Sequence, residues 1–158
     1  MSEFSISLTK EQIKLLEEYA VLLEQSGIQP APAKILALLH VSDETDLTFD
    51  QIRETLSISK SATSQALSFL LNTKKIEYKT KIGDRKRYFS TRVMSWQEGM
   101  LEALSSLSGI CDLYKRILAQ RPSRTKEFNK NLKDVTAFMD FMSKQGPALL
   151  QAFESQRK

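Results

Sequence analysis

The chain of 158 residues and 18.0 kDa is the size of one domain, or of one domain with an appendage, and is too short for two large catalytic domains. Its composition, 41% apolar and 27% charged, excludes a disordered, collagen-like or fibrous chain, and a single cysteine, Cys111, excludes an internal disulfide. The net charge of +4 is unevenly spread: 4 basic against 10 acidic residues from Met1 to Ser59, 9 against 2 from Lys60 to Arg92, and 7 against 1 from Lys115 to Lys133.

No run approaches the roughly 18 apolar residues of a membrane span. The N-terminal MSEFSISLTKEQ has neither the basic patch nor the apolar stretch of an export signal. A folded cytoplasmic protein that does not enter a membrane is expected. The basic stretch 60–92 points to a polyanionic partner, with a solvated charged face as the alternative; for 115–133 the solvated face is the simpler reading.

From Leu8 to Gln25, Ile13, Leu16, Ala20 and Leu23 recur at steps of three or four, which predicts a surface helix closed by Gly27. The prolines of 27–32 interrupt it, and a short apolar helix is expected from about Ala33 to His40, burying Ile35, Leu38 and Leu39. An acidic loop, 41–47, ends at Thr48-Phe49-Asp50-Gln51, a capping-box sequence that opens a helix with Phe49, Ile52 and Leu56 inward. After the short break Ser57-Ile58, Ser59 is placed to cap a helix running to about Asn72. Thr63, Ala66, Leu67, Leu70 and Leu71 lie on one side of it; Lys60, Ser61, Ser64, Gln65 and Ser68 lie on the other.

From Lys75 the period drops to two: Ile76, Tyr78 and Thr80 alternate with Glu77, Lys79 and Lys81, Ile82-Gly83-Asp84-Arg85 supplies a turn, and 86–91 return as a strand. Helix, helix, short turn, helix and hairpin within about 60 residues is the order of a winged helix-turn-helix. Ser95-Trp96-Gln97-Glu98 then reads as a second capping box, opening a helix to about Gln120 whose Met100, Leu104, Leu107, Cys111, Tyr114 and Leu118 form a heptad-like seam. Beyond Arg121-Pro122, Ser123 is expected to cap a helix carrying Phe128, Leu132, Val135, Met139 and Met142, and Gly146-Pro147 to end it before a last turn or two at 148–153.

The expected fold is therefore mainly α with a small β-hairpin wing: a winged helix-turn-helix with N- and C-terminal dimerisation helices. Its segments are 1–29, a candidate dimerisation arm; 30–92, the DNA-binding domain; and 93–158, a helical dimerisation and candidate effector region. Leu104, Leu107, Cys111, Tyr114, Phe128, Leu132 and Val135 are expected at a homodimer interface, because these helices carry more apolar stripe than a small winged domain needs. Trp96, Met100, Tyr114, Phe138 and Phe141 are candidates for the walls of a small-molecule effector pocket, with core packing as the competing reading.

A DNA reader puts one polar helical face into the major groove, where donors and acceptors meet base edges. Ser61, Ser64, Gln65 and Ser68 fit that face, with Ser59 and Lys60 at its start. Gln65 is the best candidate base reader, since an amide pairs bidentately with adenine. Ser61 and Ser64 fit phosphate equally well. Lys79, Lys81, Arg85, Lys86 and Arg87 on the hairpin are candidate phosphate or minor-groove contacts.

The run Leu47-Thr48-Phe49-Asp50-Gln51-Ile52, through Leu56-Ser57-Ile58-Ser59-Lys60-Ser61 and Ala66-Leu67 to Gly83-Asp84-Arg85-Lys86-Arg87-Tyr88-Phe89, resembles the MarR-type transcription regulators, most of all their GbsR-type branch. The resemblance spans about Pro32 to Arg92. It implies a homodimeric repressor or activator with 59–72 as recognition helix and Arg85 as a wing contact, and an effector near the junction of dimer and DNA-binding regions.

An enzyme is disfavoured. His40 is the only histidine and ends an apolar helix, no Cys/His spacing suits a metal, and the acidic loop lacks the ligand spacing and glycine of a calcium site. No Walker or dinucleotide motif is present, and no cofactor is expected. A nonspecific nucleic-acid binder and a winged-helix protein-interaction module stay open beside the regulator.

Overall fold

A computed structural model describes residues 4–157, and the chain divides after Met94 into two units. The first begins with α1 (Lys10–Gln25), closed at its start by a capping box in which Thr9 and Gln12 bond each other's backbone amides. The Gln12 amide also donates to Val41 O at 3.0 Å and Asp43 Oδ1 at 2.9 Å. Leu16 and Ala20 are buried in the same core as the next helix, so α1 belongs to this unit. Ile13, expected in the inward stripe, is exposed, as are Leu15, Val21 and Leu22.

The second helix, α2 (Pro30–Val41), starts three residues before the expected Ala33. Pro30 and Pro32 occupy its first turn, where an amide would have no intrahelical acceptor in any case, and Ala33 N–H already donates to Gln29 O at 3.0 Å. Ile35, Ala37 and Leu38 are fully buried, making α2 the centre of the unit. Each buried Ile or Leu side chain contributes about 1.5–3 kcal/mol of transfer free energy.

The chain then forms β1 (Leu47–Thr48), α3 (Phe49–Leu56) and α4 (Lys60–Asn72). The Thr48–Gln51 capping box starts α3 as expected. Ser57 turns the chain with φ +52°, and Ile58 N–H donates back to Arg53 O at 3.2 Å, which terminates α3 before Ser59 opens α4. Two strands follow, β2 (Ile76–Thr80) and β3 (Arg87–Thr91), in a three-stranded antiparallel sheet of order β1-β3-β2. Leu47 pairs with Phe89 and Thr48 with Tyr88; Tyr78 pairs with Phe89, Lys79 with Tyr88 and Thr80 with Arg87. Strand alternation puts Leu47, Phe89 and Ile76 on the core face and Thr48, Lys79 and Tyr88 on the other. A two-residue β1 is too short to show alternation, so the sequence pattern gives only the hairpin.

A 3-10 turn (Arg92–Ser95) leads into the second unit, a hairpin of α5 (Trp96–Gln120) and α6 (Lys126–Ser155). The expected Ser95 capping bond is not made, because the preceding 3-10 turn leaves Ser95 at φ −115° and ψ 30° rather than extended. Thr125, not Ser123, is the residue before α6; its hydroxyl bonds Pro122 O at 3.1 Å and Asn129 Oδ1 at 3.1 Å. Gly146-Pro147 does not end α6, which continues to Ser155. The terminal turns are held instead by Trp96 packed edge-on against Phe153, with centroids 6.1 Å apart, and by Gln97 Nε2 donating to Glu154 Oε1 at 2.8 Å.

The heptad-like seam is closed in part by the chain itself. Leu104 packs over Gly146, and the Cys111 thiol, 1% exposed, donates to Thr136 O at 3.6 Å. Leu107, Tyr114 and Leu132 are half-buried, while Phe128 and Val135 lie exposed. Leu104 and Cys111 are thus buried by α6 of the same chain.

Candidate nucleic-acid interface

The orientation of α4 is fixed by its two faces. Thr63, Ala66, Leu67 and Leu70 are buried, which leaves Lys60, Ser61, Ser64, Gln65 and Ser68 exposed together, as the helical spacing predicts. Ser59 is committed to the cap: its Oγ accepts from Ala62 N–H at 3.1 Å and lies 3.1 Å from Ser61 Oγ, and its carbonyl accepts from the Thr63 hydroxyl at 2.9 Å.

The polar face has two edges with different neighbours. Ser64 and Ser68 look onto the hairpin across a groove of about 370 Å³ that Arg85, Lys86 and Arg87 also line, with Thr48, Asp50 and Phe89. Gln65 instead borders a smaller hollow of about 240 Å³, shared with Phe69 and with Gln29 and Pro32 at the start of α2. Phe69, 39% exposed and one turn beyond Gln65, is a candidate that composition did not single out. Its i+4 spacing from Gln65 was the available signal.

The wing turn is held by Asp84. Gly83 takes φ +84°, a conformation open to glycine without strain, and Asp84 N–H closes the turn onto Lys81 O at 3.0 Å. The Asp84 carboxylate accepts the Tyr88 hydroxyl at 2.6 Å on one oxygen and Lys86 N–H at 2.9 Å on the other. The Tyr88 hydrogen bond, then the Lys86 amide, holds the Asp84 carboxyl below the ordinary aspartate range, and the same bond raises the Tyr88 hydroxyl. Tyr88 is thereby a strut of the wing, and Phe89 anchors it in the core. Ile82, between Lys81 and Gly83, is fully exposed at the turn.

The hairpin cations divide between its faces. Arg87 lies 5.3 Å from the Tyr78 ring centroid on the side of the groove, and Lys86 Nζ lies 5.8 Å from the Phe4 ring centroid. Lys79 leaves from the opposite face and meets Asp46 Oδ2 at 2.9 Å; Lys81 is 3.8 Å from Asp46 Oδ1 and 3.7 Å from the Tyr88 ring centroid. The structure therefore brings Arg85, Lys86 and Arg87 together with Ser64 and Ser68. It does not bring Lys79 and Lys81 there.

Of the effector candidates, Trp96 packs on Phe153, Met100, Phe138 and Phe141 are exposed, and Tyr114 is half-buried. A groove of about 780 Å³ in the second unit is lined by other residues, among them Lys115, Leu118, Lys130, Lys133 and Ala137. The His40 ring bonds Leu36 O at 2.8 Å through Nδ1 and meets Tyr19 edge-on, a structural placement. Among the described residues no three His, Cys, Asp or Glu side chains converge as metal ligands, and no helix is long and apolar enough to cross a membrane.

A buried α2, a turn of three residues between α3 and α4, and a hairpin packed beside α4 define a winged helix-turn-helix protein. No family model and no curated protein matches the chain. Among solved structures, one described as a transcriptional regulator superposes with a TM-score of 0.77 at 19% identity, covering 92% of this chain and 99% of that one. A cysteine-to-serine mutant of MarR from E. coli complexed with operator DNA gives 0.39 at 21% identity over 53% of this chain and 57% of that one. The S. aureus MepR-DNA complex gives 0.42 at 17% over 84% and 99%. The first of these establishes the shared fold.

Proposed function

We propose that the protein is a sequence-specific transcription regulator that binds double-stranded DNA as a homodimer, on an approximately two-fold operator, and represses. The observation that carries this reading is the groove in which exposed Ser64 and Ser68 of α4 face Arg85, Lys86 and Arg87 of the wing. Hydroxyls and an amide on a helix face suit base edges, and a cluster of cations at fixed distance from them suits the adjoining backbone. The shared fold of a transcriptional regulator agrees with it. The I-S-K-S helix start and G-D-R-K-R wing favour the GbsR-type branch of the MarR-type regulators.

Exposed Phe128, Val135, Phe138 and Phe141 on α6 and Leu101 and Ile110 on α5 supply an apolar surface for the second copy. Two copies would read two half-sites and gain specificity from their spacing. An effector acting through Trp96, Met100, Tyr114, Phe138 or Phe141 would shift the spacing of the two readers.

The test is selection from randomised duplexes with the purified protein, together with sedimentation at micromolar concentration. One reproducible, roughly two-fold sequence bound by a dimer is the expected result. Tight binding without enrichment would make the protein an architectural binder, and a folded dimer that binds no duplex would make it a protein-interaction module.

A further inference from the structure

The cations of the wing are not all equivalent. Asp46 ends the loop before β1, across β3 from β2, and its side chain is only 15% exposed. Its two oxygens take one lysine each, Lys79 at 2.9 Å and Lys81 at 3.8 Å, both lysines remaining more than half exposed. Lys81 is held further by the Tyr88 ring, which Asp84 fixes in turn. Glu44 and Glu77 border the same side of the sheet as Lys79. This face of the hairpin thus carries carboxylates that engage its lysines directly, whereas the groove lined by Arg85, Lys86 and Arg87 has one acidic lining residue, Asp50, against the three cations.

We propose that Asp46 is a specificity-determining residue of the DNA interface: it occupies Lys79 and Lys81 in place of phosphate, so that only the groove-side cations of the wing engage the DNA backbone. The proposal rests on the DNA-binding reading. A hairpin entering the minor groove lies between two backbones, one beside each face. Cations on both faces would grip any duplex. Neutralising one face removes sequence-independent affinity and leaves the contacts that are in register with α4.

The experiment measures binding of the full chain to its selected duplex and to a random duplex between about 50 and 200 mM salt, with melting temperatures alongside. Asp46→Asn is expected to tighten random-duplex binding and to steepen the salt slope by about 1–2, since each phosphate contact contributes about 0.9. Over that fourfold salt range the added dependence amounts to about 4- to 16-fold in affinity, and the preference for the selected duplex falls. The Lys79→Ala/Lys81→Ala pair is expected to cancel the Asp46→Asn effect. In the wild-type background the same pair should move the slope by less than about 0.5. A pair that flattens the wild-type slope by about 1–2 shows that both lysines already hold phosphate and overturns the proposal, even if Asp46→Asn fails to fold. An Asp46→Asn protein of unchanged melting temperature and unchanged slope also overturns it. A wild type that binds no duplex at any salt overturns the DNA reading itself and this proposal with it.

Discussion

Gly146 sits in the middle of α6, where an alanine would ordinarily stabilise a helix by about 1 kcal/mol. Here a Cβ would fall 2.6 Å from Leu104 Cδ2 and 3.1 Å from Leu104 Cγ, with Cδ1 closer still. Leu104 is 9% exposed and has little room to turn away, so Gly146→Ala forces overpacking worth about 1–3 kcal/mol against the propensity gain, for a net loss of about 0–2 kcal/mol. Leu104→Ala alone leaves a cavity and costs about 2–5 kcal/mol. Combined, the two changes relieve each other: in the Leu104→Ala background Gly146→Ala should stabilise by about 1 kcal/mol, a coupling on the order of 1–3 kcal/mol. Urea unfolding of the four proteins, read by far-ultraviolet circular dichroism, completes the cycle. Strict additivity would refute the packing of Leu104 on Gly146.

Four further outcomes are expected. Gln65→Ala should change preference among duplexes by about 1–3 kcal/mol at an adenine position, seen by repeating the selection with the variant. Lys86→Ala/Arg87→Ala should weaken selected and random duplexes together and flatten the salt slope by about 2, measured by fluorescence anisotropy. Because the folded Asp84 carboxyl titrates below its unfolded value, the stabilisation from its bonds is present above the unfolded aspartate range and lost as pH falls through the depressed folded value; Tyr88→Phe should move that titration upward in a carboxyl-detected NMR experiment. Ser57→Gly should stabilise by about 0.5–1 kcal/mol in thermal unfolding, since Ser57 holds φ +52° and ψ 41° at the end of α3.

Local signals in the sequence were sufficient wherever one segment's pattern decided its fate. The capping box at Thr48–Gln51, the two faces of α4 and the change to period two after Lys75 each depend on residues within a few positions, and each is present as spaced. Proline and glycine were less legible, because their meaning depends on position within an element. Pro30 and Pro32 read as obstacles yet sit in the first turn of α2, and Gly146 reads as a terminator yet serves the packing of Leu104. The C-terminal seam was visible as apolar periodicity, but periodicity does not say which helix fills it. Here α6 of the same chain takes Leu104 and Cys111.

The candidate site shows the same limit in terms of charge. Counting along 60–92 ranks Lys79 and Lys81 with Arg85, Lys86 and Arg87, since an isolated segment carries its charges without their partners. Folding brings in Asp46 from 33 residues before Lys79 and splits the hairpin cations between two faces. The helix is divided in the same way: Ser64 and Ser68 border the cationic groove, while Gln65 and Phe69 border the start of α2, away from it. Cations therefore adjoin one edge of α4, and the other edge carries an amide and an aromatic ring; if the protein reads DNA as proposed, the first suits phosphate and the second an adenine edge and a thymine methyl. On the proposed DNA-binding reading, discrimination and affinity would fall on opposite edges of one helix, and substitutions at Gln65 and at Lys86 and Arg87 are expected to separate in their effects.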